Sequence, residues 1–235
     1  MSIDAHLTER YGSPEGAAAY RRKYERSLAR RLSSRRELRI VGAALDATGV
    51  RGHVLDCPCG AGRLVPTLLA RVERVTAADR SPAMVEEARD ALSAEAAAGR
   101  VVFAVASAHD LPFADGAFEA SVCHRLIHHV ADREQRLAIL RELARVTRRH
   151  VVISFNDATT WKMRSQRLRR RKRRRTALTP EAFRAEAAQA GLESEGRIRR
   201  LNGWLSLVAV AVFGVERAQS RAGTVASRHS SEQAQ

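Results

Sequence analysis

The sequence predicts an α/β fold in which a mainly parallel sheet is covered by helices on both faces. Three observations predict it. Short apolar runs alternate with longer stretches of helical periodicity between residues 53 and 155. The run Val54-Leu55-Asp56 ends in an acid, turns through Cys57-Pro58-Cys59-Gly60-Ala61-Gly62-Arg63, and opens into the helical pattern Leu64, Leu68, Leu69. That is a strand, a tight turn and a helix start, where residues without side chains let the backbone approach a ligand closely. A chain of 235 residues is also long enough for one large domain with a sizeable core.

Residues 1–50 read as a helical segment that caps the far side of a ligand cleft or packs on the sheet edge, with Leu28, Leu32, Leu38, Val41 and Leu45 as its apolar stripe. Thr48-Gly49 ends it. Strand one is expected over His53–Cys57, followed by a helix over 62–70 with Pro66 in its first turn. Strand two is expected over Arg74–Ala78, ending in Asp79. Ser81-Pro82 then starts a helix as N-cap and first position, with Met84, Val85, Ala88 and Leu92 on one face. Strand three is expected over Val101–Ala106 and strand four over Ala120–His124. A helix from Asp132 to Val146 turns Leu137, Leu140 and Ala144 inward, and His150–Phe155 is strand five. Thr179-Pro180-Glu181 begins another helix that Gly191 closes. Leu205–Phe213 reads as a buried late strand, and 217–235 as a disordered tail.

The formal net charge is +15, and it is unevenly spread. Lys162–Arg175 holds ten basic residues and no acid, and Arg21–Arg39 holds nine against Glu25 and Glu37. The rest of the chain is near neutral, so the basicity lies outside the body that carries the chemistry. Three cysteines at uneven spacing make no disulfide framework and point to a reducing compartment. Cys57, Cys59 and Cys123 also lack the spacing of a four-ligand zinc site, so no metal is expected. The N-terminus shows no secretory pattern, and no apolar run is long enough to span a bilayer. A soluble, cytoplasmic protein is expected, peripheral to a membrane if the basic run docks there.

In a parallel sheet, ligands bind beyond the carboxyl ends of the strands, where the strand order reverses. Four strand ends offer suitable groups here. The first is the Gly turn. The second is Asp79, placed like the acid that takes ribose hydroxyls in nucleotide-binding sheets; by itself it reads as a helper for the following helix. The third is Ala108-His109-Asp110-Leu111-Pro112-Phe113, and the fourth is Cys123-His124-Arg125 with Leu126-Ile127-His128-His129-Val130. In this order the four motifs resemble a class I S-adenosylmethionine-dependent methyltransferase, of the branch that modifies small molecules and lipids. The resemblance is close over 50–155.

The resemblance implies a Rossmann-like, seven-stranded sheet with its last strand antiparallel, filling a methyltransferase domain over 51–216 with a basic insert at 161–176. It implies S-adenosyl-L-methionine as cofactor. Asp56 and the turn Cys57, Pro58, Cys59, Gly60 and Gly62 would hold the methionine end. Asp79 would take the ribose, with Arg80 and Met84 beside the adenine. Ser107 and Ala108 would meet the adenine edge, and the His124 backbone would face the methionine ammonium. Two residues depart from the pattern. Pro58 replaces the first glycine and removes one donor, and Ser107 replaces an acid that commonly accepts from the adenine amino group. A nicotinamide-dependent oxidoreductase is the rival nucleotide reading, but its third glycine is missing.

His128 and His129 are the expected candidates for a general base, if the acceptor must lose a proton; both equally suit packing. Arg125 suits an anionic acceptor or a structural ion pair. Tyr20 and Tyr24 suit a cover over the cofactor or simple packing. The family's nucleobase amino-methylating enzymes carry an Asn-Pro-Pro-aromatic tetrad after strand four; none follows it here, so the resemblance argues against DNA base methylation. The run Lys162–Arg175, with Trp161 before it, reads as a solvated loop, an anionic-membrane contact or an RNA contact. The acceptor expected is a small molecule or lipid derivative, with no protein partner. An adaptor that binds cofactor without turnover, and acts through the basic run, is the alternative.

Overall fold

The computed structural model describes residues 27–161, 163, 176–196, 198–204 and 208–216, with Ser13, Glu15, Gly16 and Ala19 ahead of them. Tyr20, Tyr24, the basic run apart from Met163, Leu205 and the tail 217–235 lie outside the described residues. The described residues form eight strands in one sheet: β1 His53–Asp56, β2 Arg74–Asp79, β3 Val101–Val105, β4 Phe118–Cys123, β5 Thr147–Asn156, β6 Leu192–Ser194, β7 Arg199–Trp204 and β8 Val208–Val215.

The strand order is β3-β2-β1-β4-β5-β8-β6, with β7 paired to β8 off that path. Strands β1 to β5 are parallel to one another, and β8 runs antiparallel between β5 and β6. The seven-stranded path with an antiparallel late strand is present. The expected count of seven is short by one, because β7 adds a polar strand to β8 through Arg199 opposite Val210 and Arg200 opposite Ala209.

The helices are α1 Leu28–Asp46, α2 Val65–Leu69, α3 Pro82–Ala91, α4 Ser93–Ala97, α5 Arg133–Val146 and α6 Pro180–Gln189. Side-chain caps set four of their starts. Ser27, Ser81, Asp132 and Thr179 accept from the backbone N–H three residues on, at Arg30, Met84, Gln135 and Ala182, each cap worth about 1 kcal/mol. Helix α2 starts at Val65, later than expected, because both glycines of the preceding turn hold positive φ. Strand β5 starts at Thr147, where α5 runs into it without a linker.

Alternation along the strands divides the core. Leu55, Ile153 and Phe155 face one layer with Phe183 of α6 and Phe213 of β8. Val54, Val75 and Val152 face the other with Leu45 of α1 and Leu68 of α2. The Phe183 ring lies 4.4 Å from that of Phe155 and 5.7 Å from that of Phe213. Each buried ring contributes about 1.5–3 kcal/mol, so this trio pins β5, α6 and β8 together.

The expected stripe of α1 is corrected in its first half. Leu28 and Leu32 are exposed, and the buried face runs through Ser34, Glu37, Val41, Ala44 and Leu45. Two of the residues that α1 turns inward are polar, and they belong to the site.

Candidate functional site

From β1 the chain moves outward through β2 and β3, then returns to β4 on the other side of β1. The loops after β1 and β4 therefore diverge and leave a crevice at their carboxyl ends. The first loop is held by both neighbours. Cys57 N–H donates to the Val122 carbonyl at 3.0 Å, and Cys59 N–H donates to the Ala78 carbonyl at 2.8 Å. The Cys57–Pro58 peptide bond between them is cis.

Asp79 joins this loop to α3. Its Oδ2 accepts from Gly60 N–H and its Oδ1 from Ser81 N–H, each at 2.9 Å. The helix-helper role is thus present, together with a grip on the Gly turn. Burial pushes the Asp79 carboxyl up, against the two amides that favour its charge.

Gly60 and Gly62 adopt φ of +53° and +74°. What Gly62 makes room for is α3: a Cβ there would lie 2.8 Å from Leu92 Cδ1 and 3.2 Å from Ala88 Cβ. The close helix packing that the rival fingerprint assigns to a third glycine falls here to the second.

Asp56 ends β1 and is buried, and neither carboxylate oxygen has a hydrogen-bond partner among the described residues. Burial pushes its carboxyl well above the usual range, and nearby Asp79 pushes it further, against the pull of Arg63. A buried carboxyl without donors is costly, and a cationic ligand would relieve that cost.

Beside the turn, Cys57, Pro58, Arg80, Ser107, Ala108 and Leu126 line a cavity. Five of the expected cofactor residues therefore share one wall. Met84 is buried against Ala61 and supports the turn from behind. Ser107 Oγ accepts from His109 N–H at 3.3 Å, which shapes the loop after β3. All three cysteines are free and buried, and burial raises each thiol pKa. Among the described residues no three His, Cys, Asp or Glu side chains converge to hold a metal ion.

Sequence reasoning missed Glu37. Its carboxylate lies at the other side of the crevice and gathers three partners from two loops. Arg125 Nη1 donates to both Glu37 oxygens at 3.1 and 2.9 Å. Arg63 Nη2 donates at 3.2 Å, while its Nη1 donates to Ser34 Oγ at 2.7 Å. His124 Nε2 lies 3.5 Å away. Burial acts to raise the Glu37 pKa, but His124, Arg125 and Arg63 together outweigh it and hold the carboxyl at about 2. Burial also lowers the His124 pKa, which favours the neutral ring.

Arg125, expected to meet an anionic acceptor or form an ion pair, takes the ion pair. Its backbone turns at φ +66°, and its N–H donates to Ser154 Oγ at 2.7 Å. His128 and His129 sit on a 3-10 turn, Ile127–His129, with ring centroids 4.3 Å apart. His128 is buried, and its carbonyl accepts from Thr176 N–H. From the segment after Arg125, the cavity takes Leu126 and Val130 rather than the two histidines.

A family model described as a methyltransferase domain matches residues 54–150. The four motifs singled out in the sequence fall within that segment. The chain is 32% identical over 118 residues to the O-methyltransferase resE of Aspergillus sclerotiorum, covering 50% of this chain and 43% of that protein. It is 32% identical over 108 residues to the ubiquinone/menaquinone biosynthesis C-methyltransferase UbiE of Geotalea daltonii, covering 45% and 46%. The chain thus spans about half the length of the relatives it matches. The crystal structure of magnesium protoporphyrin IX methyltransferase from Synechocystis PCC 6803 with bound SAH shares the fold at a TM-score of 0.75 and 20% identity. That likeness covers 91% of this chain and 100% of the other.

Proposed function

We propose that the protein transfers a methyl group from S-adenosylmethionine to a small-molecule acceptor, lipid-derived acceptors included. The observation that carries this reading is the pair of buried carboxyls at the carboxyl ends of β1 and β2. Asp79 is anchored by the Gly turn, and Asp56 has no donor among the described residues. Such a pair fits a cationic ligand that also presents vicinal hydroxyls.

When bound, the cofactor supplies a methyl group on a positively charged sulfur. The chain's part is to position it and to exclude water. Asp79 would accept from the ribose hydroxyls, and Asp56 would face the ammonium. Arg80, Ser107 and Ala108 would enclose the adenine in the cavity they line. The relatives' names cover both oxygen and carbon methylation, so we assign acceptor choice to residues outside the shared core.

Calorimetry with S-adenosylmethionine and S-adenosylhomocysteine tests the reading directly; absence of binding to both would overturn it. Methylated metabolites and lipids from cells with and without the protein would then identify the acceptor. His128 and His129, on the turn between the cavity residues Leu126 and Val130, are the candidates for proton removal. Replacing both with Gln should lower turnover about 100-fold or more if a base is needed, and unchanged turnover would remove them from the chemistry.

A further inference from the structure

We propose that Glu37 of α1 is a positioning residue that acts through Arg63 and Arg125 to shape the amino-acid end of the cofactor site. The inference rests on the cofactor reading above.

Strand β1 lies between β2 and β4. Asp79 ends β2, and the cavity lined by Arg80, Ser107 and Ala108 lies on that side. A ligand whose ribose meets Asp79 directs its other end across β1 toward β4. There the Glu37 group stands, with Arg63 from the Gly turn, and His124 and Arg125 from the end of β4.

Three elements distant in sequence meet at this carboxylate. Its hydrogen bonds to Arg63 and Arg125 span 26 and 88 residues. Ser34, one turn earlier on the same buried face of α1, holds the second arm of the Arg63 guanidinium. Charge-assisted contacts from two guanidiniums, one of them also held by Ser34, fix direction as well as distance. Two guanidiniums and one carboxylate leave a single positive charge here, within reach of Asp56 on the next strand, which feels Arg63. A zwitterionic amino acid group matches that pair of charges, with its carboxylate toward the arginines and its ammonium toward Asp56.

The test compares two nucleosides that differ at this end. S-adenosylhomocysteine carries the amino acid portion, whereas 5′-methylthioadenosine keeps the nucleoside and the sulfur and lacks it. Glu37→Gln should weaken S-adenosylhomocysteine about tenfold or more by calorimetry, the scale of one hydrogen bond to a charged group. Binding of 5′-methylthioadenosine should change less than about twofold. Glu37→Asp should restore part of the loss. Equal loss of both ligands, or loss of neither, would overturn the role, since a merely structural residue does not distinguish them. If Glu37→Gln does not yield folded protein, Ser34→Ala makes the same comparison by freeing one arm of Arg63. Wild-type protein that binds neither nucleoside would overturn the cofactor reading, and this inference with it.

Discussion

Asp56 and Glu37 are both buried carboxyls at the same edge of the sheet, and they have opposite surroundings. Asp56 lacks hydrogen-bond donors among the described residues and has a second acid nearby. Glu37 is met by two guanidiniums and an imidazole. Similar burial therefore raises one pKa and is overcome at the other. The difference separates a carboxylate the fold has already satisfied from one that has no donor among the described residues.

The strongest way to break this contrast is to remove Glu37. Glu37→Ala leaves Arg63 and Arg125 without their shared carboxylate and should cost about 3–5 kcal/mol, read by denaturant unfolding. A loss below about 1 kcal/mol would place the cluster in effective contact with solvent. Gly62→Ala should cost about 1–3 kcal/mol, because the new methyl meets Leu92 and Ala88 and the backbone holds φ +74°. That variant tests whether the turn beside Asp56 is set by α3.

Asp56→Asn should do the reverse of Glu37→Ala. Removing an unmatched buried carboxyl should raise ligand-free stability by about 1 kcal/mol while abolishing detectable cofactor binding. A fall in melting temperature would show that Asp56 is already satisfied without ligand.

The pH dependence is the sharpest in sign. Glu37 ionises at about 2 in the fold against an ordinary 4.5, so the unfolded chain holds more protons between those values. Its contribution is complete above pH 4.5 and is lost as pH falls through 2. The Asp56 pKa is raised above 3.8, so the folded state holds more protons and stability falls as pH rises from there. Melting curves across pH should flatten in the acid limb for Glu37→Gln, and above pH 4 for Asp56→Asn.

Much of the parallel half was legible in the amino-acid order. Strands β1 to β4 end within two residues of expectation, because each apolar run gives way to polar residues, at Asp56, Asp79, Ser107 and His124. Ser81 caps the helix it was expected to cap. The antiparallel side was less legible. Leu192–Ser194 and Arg199–Trp204 are short and polar, and they become strands by pairing with β8 rather than by their own pattern. Within the site, Asp79 announced itself through its distance from the Gly turn. Glu37 did not, since one acid among the arginines of a helix reads as a solvated face. Its partners lie 26 and 88 residues away, and only the fold brings them together.

The placement of β8 shapes how the molecule can be assembled. The strand formed latest in the described chain is threaded between β5 and β6 rather than laid along the margin. During synthesis, the crevice at the ends of β1 and β4 is spelled out by residue 130, yet one flank of β5 stays open until residue 215 has emerged. For that interval an apolar strand edge is exposed to other chains. Shielding of the nascent polypeptide matters most over those last strand-forming residues.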